Sequence, residues 1–207
     1  MAIIDKHIPL YREIFQLPGF FSEPFLTLGL QAIYGNNIPD DFKFEGLKEL
    51  LISKGVNDVK ALDLHDARAD LRYDLNLPVP AEEHGRYSVV ADIGTLEHIF
   101  DVKQCLESCI RMVKEGGLYL LHTNVNGHYN HGLYVFNPRL LVNVLISNHF
   151  EILYLKYSTA MIGMLEIPDP SIRHDVIMWI VARKKRECHR FIMPSDPHQE
   201  IYDEYYK

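Results

Sequence analysis

Short apolar runs broken by glycine, proline or an acid alternate along this chain with stretches whose apolar positions recur every three or four residues. That alternation predicts strands interleaved with helices. Phe25-Leu-Thr-Leu-Gly-Leu-Gln-Ala-Ile33 predicts a first strand, ended by Tyr34-Gly-Asn-Asn. Leu47, Leu50 and Leu51 share one face of a helix that starts at Asp41 or Phe44 and runs to Lys54, with Gly55 as its stop. Val59-Lys-Ala-Leu-Asp63-Leu64 predicts a second strand ending in an acid, and 69–76 a short third strand terminated by Leu77-Pro-Val-Pro. A fourth strand is expected over 88–93. Asp101 with Gln104 reads as a helix cap, after which Val102, Leu106, Cys109, Ile110 and Val113 keep helical spacing until Gly116-Gly117 closes the helix. A fifth strand follows over 118–123, Pro138 opens a helix through Ser147, and 151–158 and 175–182 complete the set.

The last two strands lack a full helix between them, which suits a terminal antiparallel pair. The expected fold is therefore α/β: a doubly wound, mainly parallel seven-stranded sheet with that pair at its end. Residues 1–24, with Pro9, Pro18-Gly19 and Pro24, read as an N-terminal segment holding a short helix near 10–16. The domain proper is expected over 25–186, followed by a loose tail over 187–207.

Composition narrows the class. With 207 residues and 47% hydrophobic content the chain can bury a sizeable core as one domain. A formal charge of -7 argues against duplex nucleic acid as the partner, because neutralising phosphates needs a basic face. The basic run Arg183-Lys184-Lys185-Arg186 reads as a solvated strand end. Three cysteines make no secreted-type framework, and Cys105 and Cys109, four apart on a helix, read as small core residues. Neither a signal-peptide pattern nor a membrane-length apolar run is visible, so a cytoplasmic protein without a membrane partner is the expectation.

The element order places Gly94 to His98 and His122 to Asn124 at the carboxyl ends of neighbouring strands, the edge where open parallel sheets bind ligands. The block Gly94-Thr-Leu-Glu97-His98-Ile-Phe-Asp101, the downstream Lys114-Glu-Gly-Gly, the acid Asp63 closing strand two and the softer Asp74-Leu-Asn-Leu-Pro78 together resemble the class I S-adenosylmethionine-dependent methyltransferases. The resemblance spans roughly 25–185 by element order. It implies cofactor contacts at Gly29 and Gln31, Asp63, Asp74 and Leu75, and Gly94 with Thr95. Asp63 would accept from the ribose hydroxyls and Asp74 from the adenine amino group, although strand-end and turn-capping roles explain both acids as well. Here the first loop, Leu26-Thr27-Leu28-Gly29-Leu30-Gln31, has few glycines, and Thr27 stands where the family often has an acid. A pyrophosphate needs several glycines to reach backbone N–H groups, whereas S-adenosylmethionine has no phosphate. The loop thus counts more against a nicotinamide enzyme than against a methyltransferase.

The stretch Asn124-Val-Asn-Gly-His128-Tyr129-Asn130-His131-Gly132-Leu-Tyr134-Val-Phe-Asn137 is rich in amides, imidazoles and phenols, suited to a hydroxylated small-molecule or saccharide acceptor. The expected reaction is O-methylation, with His128 or His131 as base and the other orienting it, and with Glu97 and His98 as further catalytic candidates. Backbone bonding by two loop histidines is the plain alternative for that pair. Packing or orientation is at least as good a role for His98. His98, His122, His128 and His131 converging on one edge raise a divalent metal holding a diol acceptor, as a minority reading. The insertion Met161-Ile-Gly-Met164-Leu-Glu-Ile-Pro168-Asp-Pro170 fits either a lid or a homodimer contact. The competing function is a methyltransferase-like scaffold that binds without catalysis.

Overall fold

The computed structural model describes residues 2–159, 163–165 and 175–194. Among the described residues nine strands form two sheets. Seven of them line up as β4-β2-β5-β6-β9-β7-β8, comprising β2 (Phe25–Leu28), β4 (Val59–Leu62), β5 (Tyr87–Ile93), β6 (Val113–Asn126), β7 (Phe150–Thr159), β8 (Gly163–Leu165) and β9 (Val176–Lys184). The first four of these in space are parallel, while β9 runs antiparallel to both β6 and β7. Every residue of β2 and β5 is buried, as expected of strands covered on both faces.

Two apolar cores account for that burial. On one face Leu26, Leu28, Val90, Tyr119 and Leu121 meet Leu106, Cys109 and Ile110 of α3 (Val102–Met112) and Leu141 and Leu145 of α4 (Pro138–Ser147). On the other, Phe25, Val89, Leu120 and Trp179 meet Leu10, Tyr11 and Ile14 of α1 (Ile8–Ile14) and Leu47, Leu50 and Leu51 of α2 (Leu47–Ser53). Each such aliphatic side chain contributes about 1.5–3 kcal/mol by leaving water. The segment 1–24 therefore closes the second core: its Ile3, Ile8, Leu10, Tyr11 and Ile14 are fully enclosed.

Several elements depart from expectation for identifiable reasons. The apolar run 25–33 is two strands. Gly29, at φ +81°, turns the chain after Leu28, and β3 (Ala32–Tyr34) leaves to pair with β1 (Ala2–Ile4) in a separate parallel ribbon. The expected strand over 69–76 shrinks to one bridge, Leu71 with Leu62, because Asp74 folds its carboxylate onto Asn76 and two prolines follow. The Asp101 cap is as expected, accepting from the Gln104 N–H at 2.9 Å. Gly116-Gly117 does not close the helix, however. The chain enters β6 directly at Val113, and the glycines form a bulge where a Cβ on Gly117 would lie 2.9 Å from the Ser88 carbonyl oxygen.

The basic run is not uniformly solvated. Lys184 is fully buried, its ammonium donating to the carbonyls of Ile110 and Val113 and to Glu187 at 2.9 Å. The start of the tail is packed too, since Asn148 accepts from Ile192 N–H and donates to its carbonyl oxygen while Cys188 is buried. Most of the 161–170 insertion, apart from β8, and residues 195–207 lie outside the described residues. Among the described residues no helix is long and apolar enough to cross a membrane.

Candidate functional site

Strand β2 sits between β4 and β5, so the chain leaves it in one direction and returns in the other. That switch point opens a crevice beyond the carboxyl ends of the parallel strands. In it lies a cavity of about 330 Å³, lined by Gly29, Asp63, Asp74, Leu75, Thr95 and His98 together with Leu62, Leu64, His65, Tyr73, Asn76 and Ile99. The volume is in the ~300–1,000 Å³ range of small-molecule sites.

The acids on its rim are held by turns. Asp63 Oδ1 accepts from the N–H groups of His65 and Asp66 at 2.8 and 3.0 Å, and Oδ2 has no partner among the described residues. Asp74 Oδ1 accepts from both the backbone and the side-chain N–H of Asn76, which pulls its carboxyl below the usual range. Asn76 Oδ1 in turn accepts from Asp101 N–H at 2.9 Å. Leu62, Leu64, Leu75 and Ile99 supply apolar wall between these acids.

Two cofactor candidates stand outside this lining. Gln31 is buried and donates back to the Leu28 carbonyl oxygen, bordering instead a smaller hollow of about 80 Å³ with Thr27 and Gly46. Gly94, at φ +77°, donates to the His122 carbonyl oxygen at 2.8 Å and so ties β5 to β6. The Gly29 N–H is used across the sheet, on the Leu62 carbonyl oxygen at 2.7 Å. With that N–H engaged and the following helix only seven residues long, the loop lacks a phosphate cradle.

Next to the cavity, the end of β5 and the turn after it carry two buried carboxylates. Asp92 accepts from Thr95 and Leu96 N–H groups, and burial together with the neighbouring Glu97 charge pushes its pKa up to about 7. Glu97, 2% exposed, accepts from the Thr123 hydroxyl at 2.8 Å. Cys105 and Cys109 pack beside Asp92, and their mutual hydrogen bond together with burial pushes the Cys105 thiol up.

The histidine-rich loop folds over this turn. Leu133 N–H donates to the Glu97 carbonyl oxygen at 2.7 Å and Tyr134 Oη to that of Phe100 at 2.9 Å. The His98 and His131 rings come within 5.1 Å edge to face, and His131 and His128 within 5.8 Å. His128 adopts φ +53°, held by its N–H on Asp175 at 2.7 Å; its Nε2 is buried without a partner among the described residues, and burial lowers its pKa.

His122 faces β9 instead, within electrostatic reach of His128. Its ring stacks on Trp179 at 4.0 Å, with His7 edge-on to both. Burial lowers His7 to about 4 and drives His122 far down, so both are neutral at pH 7. His7, Asp92 and the wall residues Leu62, Leu64 and Ile99 are the neighbours that sequence reasoning misses. Asp92 had a local signal, an acid in a buried strand two residues before Gly94, whereas nothing local marks His7.

Comparison with protein-family models gives no match, and comparison with curated proteins gives none. Solved structures do match. One is an S-adenosylmethionine dependent methyltransferase from Mesorhizobium loti, with TM-score 0.57 and 15% identity, covering 86% of this chain and 97% of that one. Another is a SAM dependent methyltransferase from Archaeoglobus fulgidus, with TM-score 0.53 and 12% identity, covering 86% and 94%. The strand order, the crevice and these likenesses agree: the chain has the class I S-adenosylmethionine-dependent methyltransferase fold.

Proposed function

We propose that the protein transfers a methyl group from S-adenosylmethionine to a hydroxyl of a polar small molecule or saccharide. The observation that carries this reading is the cavity at the switch point, bordered by Asp63 and Asp74. The donor set suits an adenosyl group. Asp63 keeps one carboxylate oxygen unpaired for ribose hydroxyls, Asp74 is an ionised acceptor for an amino group, and four apolar side chains suit a flat purine. Gly29 and Thr95 border the same space, while Gln31 and Gly94 act as supports of the loops around it.

When bound, S-adenosylmethionine supplies a methyl group already activated by its positive sulfur. The protein's task is then alignment, worth about 7–11 kcal/mol in favourable cases. A hydroxyl acceptor also needs a base. His128 is the candidate for that role: burial lowers its pKa, its Nε2 has no partner among the described residues, and its backbone N–H is held by Asp175. His131, exposed and between His98 and His128, is placed to orient the acceptor.

A scaffold that binds without catalysis is the second reading, favoured by the first loop, whose Gly29 N–H and Gln31 amide both turn inward. Calorimetric titration with S-adenosylhomocysteine and with NAD, followed by methyl transfer to an acceptor panel of polyols, saccharides and phenols, separates the readings. Saturable binding of the first ligand alone, with turnover, supports the methyltransferase. Binding without turnover supports the scaffold, and no binding removes both.

A further inference from the structure

We propose that Glu97, His98 and His131 form a binding site for one divalent first-row transition cation at the edge of the cavity. One carboxylate oxygen and two imidazole nitrogens of these residues lie within 4.8 Å of one another. Two of the three ligands are exposed imidazoles, whose rings can turn toward a shared cation with metal–ligand bonds of ~2.0–2.2 Å.

Independent features point to the same occupant. Glu97 is an almost fully buried carboxylate whose side chain receives the Thr123 hydroxyl, and no lysine or arginine among the described residues pairs with it. A second buried carboxylate, Asp92, stands near the end of β5, five residues before Glu97. Buried acids without a cationic partner are costly, and a metal ion is one of the standard ways proteins offset that cost. The loop that brings His131 over Glu97 is also constrained. Gly132, at φ +70°, lies so close that a Cβ would stand 2.9 Å from the Glu97 carbonyl oxygen, and Leu133 and Tyr134 both donate to that oxygen. The backbone thus holds His131 above the Glu97-His98 pair.

The donor chemistry selects the class of ion. Two imidazoles and one carboxylate suit manganese, iron, cobalt or zinc in the divalent state, whereas magnesium and calcium favour all-oxygen shells. Three protein ligands leave coordination positions open. Because His98 also lines the cavity, those positions are available to an acceptor that carries an oxygen donor, such as a vicinal diol. This role rests on the methyltransferase reading; the metal site itself does not. It would leave His128, outside the ligand set, as the base.

The test uses untagged, chelator-stripped full-length protein titrated with Zn²⁺ by calorimetry and with Co²⁺ by visible absorption. One saturable equivalent is expected. His131→Ala and His98→Ala, both changes at exposed side chains, should weaken it by more than the roughly 10–100-fold that loss of an outer-shell partner costs. Thr123→Val, which strips the hydroxyl from Glu97, should fall inside that range. His189→Ala, an exposed histidine at the opposite sheet edge, should match the wild type. Absence of saturable binding, or equal binding by the His131 and His98 variants, overturns the site. S-adenosylhomocysteine is titrated in parallel: its failure alone removes the methyltransferase reading, and failure of the cations alone removes only this site.

Discussion

The two sides of the carboxyl edge are built on opposite terms. On the β4–β2 side, Asp63 and Asp74 border an open hollow, and their carboxylates are already steadied by backbone N–H groups two and three residues on. On the β6–β9 side, His7 and His122 pack against the fully buried Trp179 indole, and they and His128 carry buried ring nitrogens with no partner among the described residues. The first side is a preformed hollow made from local turns. The second stores neutral donors and acceptors brought together from distant parts of the chain, so its chemistry depends on tertiary packing. Binding and proton transfer should consequently be separable by mutation.

The largest expected effect is on the histidine side. His128→Ala should lower the single-turnover methyl-transfer rate by roughly 10²–10⁴-fold while affinity for S-adenosylhomocysteine stays at the wild-type value. Equal losses in both quantities would mean that the two sides are not separate. A base held neutral by burial also places the acid limb of the rate profile below pH 6.5, with activity present above that limb and lost as pH falls.

Stability should follow the same side. Folding lowers the His7 pKa from 6.5 to about 4, so between those values the unfolded chain takes a proton that the folded chain refuses. Its contribution is whole above pH 6.5 and shrinks as pH drops, by up to about 3 kcal/mol at pH 4. His122, buried against it, steepens the loss. Urea denaturation at pH 7.5 and 4.5 measures this, and His7→Phe should flatten the slope; an unchanged slope would show that His7 is solvated.

On the cavity side, Asp63→Ala should weaken S-adenosylhomocysteine binding by about 1.5–3 kcal/mol, the range for hydrogen bonds to a charged group, with the His128-dependent pH limb unmoved. A variant that binds as tightly as wild type takes Asp63 out of the site. The smallest effect falls on the hinge between the sides. Gly132→Ala forces a Cβ into a left-handed residue against Glu97, costing about 1–2 kcal/mol and displacing the loop. Thermal melting should register that cost while S-adenosylhomocysteine affinity is retained.

How far each side could be read from sequence follows from the same difference. The strands of the parallel core announce themselves as apolar runs, and the Asp101 cap and the Pro138 start are local chemistry. Asp63, Asp74, Leu75 and Thr95 are positions that the family resemblance implies, and all four line the cavity. Gln31 illustrates the limit. Its place in the chain suggests a ligand contact, but an amide beside a positive-φ glycine finds the Leu28 carbonyl oxygen first. The strand expected over 69–76 fails for a related reason, since its apolar alternation competes with an Asx turn and two prolines. His7 is invisible for another reason. Its partners, His122 and Trp179, lie across the sheet, and only the packing of α1 under β6 and β9 joins them. Lys184 shows the same blindness in a charged run: charge suggests solvent, while two helix-end carbonyls and Glu187 hold it inside.

The proposed function requires that the crevice between β4, β2 and β5 receive an adenosyl cofactor. Calorimetric titration of the wild-type protein with S-adenosylhomocysteine at pH 7.5 tests it most directly. One equivalent bound per chain, with no heat from NAD under the same conditions, is the predicted result. A folded protein that takes up no S-adenosylhomocysteine at millimolar concentration would contradict it.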